Sequence, residues 1–198
     1  MAGSNKMKNI FLSASIPLQE RNPEYIETAD IIAIRDAVIA LTTVVLPYHR
    51  LIWGGHPSIT PLVYYVMEKL KLNIQEHMTL YQSRFFEEYF PEDNNKFENI
   101  VFTDVIDNDR EKSLLHMRHR MLDDSKFSAG IFIGGMEGVE EEYDMFIKKH
   151  PKALVLPIAS TGAAAKKIYD EQLIDKDKRL VKDYAYMSLF QKYLINEI

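Results

Sequence analysis

The sequence predicts an α/β fold: a mostly parallel sheet in three layers, with helices on both faces. Three observations carry this. Short apolar runs alternate with segments of helical periodicity along the whole chain. Four of the passages from run to helix are marked by Gly, Ser or Thr: after Ser13, at Gly54, at Gly134 and at Ser160. No internal repeat or low-complexity linker divides the 198 residues. In an open parallel sheet, such turns gather at the carboxyl ends of the strands, where ligands bind.

The elements follow in order. Residues 1–8 are expected to be a disordered lead or a cloning scar, and residues 9–198 one domain. Asn9–Ser15, NIFLSAS, is the first strand. A loop with Pro17 and Pro23 follows it, of the kind that folds over a ligand. Thr28 is the expected N-cap of a helix from Ala29 to about Val44, whose apolar face takes Ile31, Ile32, Ile34, Val38, Ile39 and Leu41. His49–Trp53 is the second strand. Gly54-Gly55-His56-Pro57-Ser58-Ile59-Thr60-Pro61 then turns into a helix through Leu70, with Ser58 or Thr60 as cap and Pro61 early in the helix.

Met78–Gln82 and Glu98–Thr103 are the third and fourth strands. Between them lie a short aromatic helical piece, Arg84–Phe90, and a polar turn, Pro91–Lys96. Asp109–Asp124 is helical, with Leu114, Leu115, Met117, Met121 and Leu122 as packing residues. Gly130–Ile133 is a strand that runs into Gly134-Gly135, and a helix continues to about Lys149. Ala153–Pro157 is the last strand, followed by Ser160-Thr161-Gly162 and another helix. The aromatic, amphipathic tail Asp183–Ile198 is helical.

Composition narrows the function. The formal net charge of -5 gives no electrostatic support to nucleic-acid binding. With no cysteine there is no disulfide, thiolate metal site or cysteine nucleophile. No apolar run approaches the roughly 18 residues that span a bilayer. The expected address is the cytoplasm, with no membrane partner.

The candidate site centres on Ala129–Glu142, AGIFIGGMEGVEEE. Gly134, Gly135 and Gly138 admit close approach of a ligand to the backbone. A helix start offers free N–H groups to phosphate. Met136 and Glu137 lie inside the turn, and Glu140, Glu141 and Glu142 open the helix. An acidic first turn often serves only to offset the helix dipole, but here one carboxylate is also placed for ribose hydroxyls or acid/base work. Ser13, Ala14 and Ser15, then Gly54, Gly55, His56, Ser58 and Thr60, then Ser160 and Thr161, would complete a shared ribose–phosphate pocket.

Arg118, sixteen positions before Gly134, is the arginine for a phosphate or carboxylate. Arg21, Tyr25, Arg35 and Arg84 are extra candidates, Arg35 with a buried ion pair as the alternative. Trp53 reads as core. His116 and His119 lack a carboxylate partner, so no metal and no cofactor is expected. Neither G-x-G-x-x-G nor G-x-x-x-x-G-K-[ST] occurs.

His116-Met117-Arg118-His119, followed by Gly134-Gly135-Met136-Glu137-Gly138-Val139-Glu140-Glu141-Glu142, resembles the motif pair of the SLOG superfamily, named for its LOG and Smf/DprA members. LOG proteins carry H-x-R-K and P-G-G-x-G-T-x-x-E. Here Ile133 stands at the proline, His119 at the lysine and Val139 at the threonine, with one residue added before Gly138. The catalytic glutamate of the pattern falls on Glu142 counted from Gly138, or on Glu141 counted from Gly134. The resemblance covers most of residues 9–170 and implies a Rossmann-like domain, a homodimer and a nucleotide-type ligand.

The run ASIP, TAD, WGGHPSITP, IGGMEGVEEE, LPIASTGAA is similar to SLOG domains of bacterial antiphage systems, which accompany TIR or Sir2 effectors and sense NAD-derived signals such as cyclic ADP-ribose. That implies a sensor. The LOG resemblance implies the alternative, an N-glycoside hydrolase using Arg118 with Glu141 or Glu142, acting as a nucleoside 5′-monophosphate phosphoribohydrolase or a NAD-cleaving enzyme.

Overall fold

The computed structural model describes residues 6–70, 75–90 and 92–198. The first five residues of the expected lead, and Pro91 of the expected turn, lie outside them. Six strands form one parallel sheet: β1 (Asn9–Ser15), β2 (Arg50–Trp53), β3 (Met78–Ser83), β4 (Ile100–Thr103), β5 (Phe127–Gly134) and β6 (Leu154–Ile158). Their order is β4-β3-β2-β1-β5-β6, with every pairing parallel. The chain builds outward from β1 to β4, then crosses to the other side of β1 for β5 and β6. The switch point therefore lies between the carboxyl ends of β1 and β5, where Ser15 is in register with Gly134.

Strand alternation divides the core. Ile10 and Leu12 of β1, with Ala129, Ile131 and Ile133 of β5, face one layer. That layer is α2 (Ile31–Val45), α3 (Thr60–Leu70), α8 (Tyr186–Phe190) and a closing π turn, Gln191–Asn196. Phe11 and Phe132 face the other layer, α4 (Arg110–Asp123), α5 (Glu137–Lys149) and α6 (Ala163–Glu171). Gly130 has no side chain because the Phe146 ring fills its place: a Cβ there would sit 2.7 Å from the ring. Two short helices, α1 (Pro23–Ile26) and α7 (Arg179–Lys182), lie in the connections. No helix among the described residues is long and apolar enough to cross a membrane.

Several sequence expectations are corrected in detail. Asp30, not Thr28, caps α2, accepting from the Ala33 N–H at 2.9 Å. Thr28 instead accepts from the Ala163 N–H at 2.9 Å. Ile31 and Ile32 are more than half exposed, because they share the outward stripe of the helix with Arg35 and Asp36 one turn on, while Ala33 and Ile34 turn inward. Leu115 is also largely exposed. Arg35 forms an exposed ion pair with Asp36 rather than a buried one. The tail is helical over residues 186–196, as α8 continued by the π turn.

Candidate functional site

A cleft of about 770 Å³ opens at the carboxyl ends of β1, β2, β3 and β5, a size suited to a small-molecule ligand. Of the sequence-predicted residues it is lined by Ser13, Ala14, Ser15, Gly54, Gly55, His56, Arg118, Met136, Glu137, Gly138, Glu141 and Glu142. Arg21 and Trp53 also line it.

At the β1/β5 end a charged clasp spans three elements, β1, α4 and α5. Arg118 of α4 donates from Nε to Glu142 Oε1 at 3.2 Å and from Nη1 to Glu141. Ser13 Oγ donates to Glu142 Oε2 at 2.6 Å. Both oxygens of Glu142 are thus occupied, and its side chain is 13% exposed; Glu141, at 60%, has only the arginine. Gly138 makes room for this arrangement, since a Cβ there would lie 2.8 Å from Arg118 Nη2.

The neighbouring carboxylates are spoken for. Asn22 Nδ2 donates to Glu137 Oε1 at 2.9 Å, and that bond holds the Glu137 carboxyl below its ordinary range. Glu140 accepts from Tyr25 at 2.8 Å and faces Lys167, outside the cleft lining. Burial, reinforced by Glu140, drives the Tyr25 phenol upward.

The Gly54-Gly55 turn sets His56. The Ile16 N–H donates to Ser58 Oγ at 3.4 Å, and Ser58 Oγ donates in turn to His56 Nδ1 at 2.8 Å. The Ser58 N–H also donates to Nδ1 at 3.3 Å, so the ring's proton sits on Nε2. Burial, with the Arg21 guanidinium adding to it, lowers this imidazole to about 4. His49, at the amino end of β2 against the Leu194 carbonyl, is lowered by burial as well. A histidine that is neutral when folded but ordinary when unfolded contributes stability that is complete above pH 6.5 and is lost as pH falls toward the folded value. His56 alone should therefore remove up to about 3 kcal/mol between pH 6.5 and 4. Urea unfolding at pH 7.5, 6 and 5 should show a shallower decline in His56→Gln than in wild type; equal slopes would reject the assignment.

Six predicted residues stay out of the cleft lining. Gly134 donates its N–H to Thr161 Oγ1 at 2.9 Å, and Gly135 donates to the Ser15 carbonyl at 2.8 Å. Their φ angles of 55° and 87° explain the glycines, but these N–H groups are spent inside the fold. Thr161 is fully buried and also donates to the Ile158 carbonyl; Ser160 pairs with the Tyr186 hydroxyl at 3.0 Å. Thr60 is buried under the Trp53 indole, and Ser58 is behind His56. The fourth turn thus buttresses the third instead of sharing a pocket with it. Arg84 pairs with Glu87, away from the cleft lining. Among the described residues no group of three or more His, Asp or Glu side chains is placed to hold a metal ion.

Sequence reasoning missed the β3 side of the cleft: Gln82, Ser83, Phe86, Tyr89, Phe90, Arg110, Glu111, Leu114 and Leu115. Gln82 Nε2 donates to the Gly55 carbonyl at 3.1 Å, tying β3 to the glycine turn. The available signal was the run RFFEEYF placed directly after a strand end.

Fold and cleft together define a three-layer, Rossmann-like α/β protein with its pocket at the switch point of the sheet. The chain belongs to the SLOG cluster3 family, whose model matches residues 24–194, and so to the SLOG superfamily. It shares its fold with the X-ray structure of TM1055, a structural genomics target. The two superimpose with a TM-score of 0.57 over 88% of this chain and 89% of that one, at 15% identity. No curated protein matches the chain in sequence.

Proposed function

We propose that the chain binds a nucleotide or NAD-derived ligand of the cyclic ADP-ribose kind in this cleft and acts as a sensor, paired with a TIR or Sir2 effector in antiphage defence. Membership of the SLOG cluster3 family supports the ligand class. The observation that favours binding over cleavage is the clasp. Glu142 has one lone pair on each oxygen engaged, by Ser13 and by Arg118, which pins the carboxylate in place and leaves a water only the second lone pair of each oxygen. Glu141 is the carboxylate left free to turn toward a ribose diol, which exchanges one donor set for another at little cost. With the Gly134 and Gly135 N–H groups consumed, the glycine turn serves as a support and not as a phosphate cradle.

Calorimetric titration with cyclic ADP-ribose, ADP-ribose, NAD and AMP tests this, with chromatography of the recovered ligand. Saturable binding with the ligand intact is the expected result, and at a hundredfold excess over Kd it should stabilise the protein by about 2.7 kcal/mol. Release of free base, abolished in Glu141→Gln or Glu142→Gln, would select the hydrolase instead. Absence of binding to any of the four overturns both readings.

A further inference from the structure

The cleft has two chemically different ends. The clasp of Ser13, Glu142, Arg118 and Glu141 occupies the β1/β5 end. Beyond β3 runs a 3-10 segment, Arg84–Tyr89, whose sequence is RFFEEY and which contains no buried residue. Tyr89 is 75% exposed. Phe85, Phe86 and Phe90 are only half-buried. An aromatic side chain can remove about 150–250 Å² from water when it is buried, so leaving four of them incompletely covered in one short segment is a feature that folding does not explain.

Phe86, Tyr89 and Phe90 all line the one cleft. The wall is braced from behind: Phe90 stacks on Phe102 at 6.0 Å between centroids, with the Arg84 guanidinium 4.8 Å from the Phe102 ring. Phe86 is held edge-on by Phe85 at 5.2 Å. The Arg110 guanidinium, 5.9 Å from the Phe86 ring, brings a cation to the rim of the same wall. Leu114 and Leu115 of α4 also line the cleft and add to its apolar part.

We infer that Phe86, Tyr89 and Phe90 form a stacking wall for a planar heteroaromatic base, with the sugar of the same ligand reaching back to the Glu141–Arg118 clasp. This rests on the nucleotide reading above and deepens it. It divides the ligand into a base half read by π-faces and a ribose half read by carboxylate and guanidinium. A stacking wall accepts every base by its face, so it fixes the position of the base more than its identity.

The test compares base-bearing with base-free probes. Cyclic ADP-ribose, ADP-ribose and AMP carry the base; ribose 5-phosphate offers sugar and phosphate alone. Tyr89→Ala and Phe86→Ala should each weaken base-bearing probes by roughly 5- to 100-fold, the range seen for base–aromatic stacking, and leave ribose 5-phosphate unchanged. Tyr89→Phe should retain wild-type affinity within about twofold, because the ring face is kept. Tyr89 is mostly exposed, so its variants are expected to fold; circular dichroism checks this. Unchanged affinity for base-bearing probes, or equal losses for both kinds, overturns the wall and leaves the nucleotide reading standing. Failure of the wild-type protein to bind any base-bearing probe overturns both.

Discussion

Gly162→Ala is expected to destabilise the protein by about 4 kcal/mol or more, enough to threaten a domain whose total stability is of the order of 5–15 kcal/mol. Gly162 has φ 72° and ψ -158°, a region essentially reserved for glycine, which alone costs another residue about 1–3 kcal/mol. Space is the larger obstacle. A Cβ on Gly162 would lie 1.7 Å from the Thr28 carbonyl oxygen and 2.5 Å from its carbon. Those are backbone atoms and cannot rotate away. The two segments would have to part, breaking the Ala163 N–H bond to Thr28 and the Asp30 N–H bond to the Thr161 carbonyl. Thr161 also supports the Gly134 N–H, so the damage reaches the turn below the cleft. Gly54→Ala is the control: its Cβ would meet only flexible methionine ends, Met117 Cε at 3.3 Å and Met121 at ordinary contact distance, and should cost less than about 1 kcal/mol. Equal denaturation midpoints for the two variants would refute the backbone argument.

The same contacts show what the sequence can and cannot tell. The strand runs are local signals, since alternation and turn residues are written within a few positions. Asn9–Ser15 and the strand ends at Trp53 and Gly134 follow from them. So does the gathering of the turns after β1, β2 and β5 at one cleft. Gly134 and Gly135 were legible as a strained turn, but their use was not. Whether an N–H faces a ligand or a threonine 27 positions away is a tertiary fact. Thr28 failed as a cap for the same reason, since its hydroxyl is claimed by Ala163, 135 positions on.

The β3 side was missed because exposure, and not composition, distinguishes a ligand wall from a core segment. RFFEEYF reads equally well as either. Of the clasp, Arg118 and the glutamates were visible as a constellation, but Ser13 entered as a ligand contact of the first turn and not as a partner of a glutamate. Its bond to Glu142 is what separates the two candidate glutamates into a fixed one and a free one.

Arg118→Met should cost about 2–4 kcal/mol, in the range for breaking a largely buried ion pair and toward its lower side, because the cleft still admits some water. The Arg118 side chain is 11% exposed and that of Glu142 13%. Methionine keeps most of the aliphatic volume and removes the charge, which leaves the Glu142 carboxylate with Ser13 as its one remaining donor. Glu141 contributes far less: at 60% exposure its ion pair is worth at most about 1 kcal/mol, so Glu141→Gln should be nearly silent for stability. The double variant Arg118→Met/Glu142→Gln removes both charges together and should recover about 1–3 kcal/mol of the single-variant loss as coupling energy. A urea double-mutant cycle on the two residues measures it. The same variants separate stability from recognition. Glu141→Gln should leave the midpoint in place while weakening the ribose-bearing probes. Glu142→Gln should shift both, because it frees the Ser13 hydroxyl and loosens the arginine at once. A coupling energy near zero, with Arg118→Met no more costly than Glu141→Gln, would show that the guanidinium is solvated independently of Glu142 and that the clasp is not a unit.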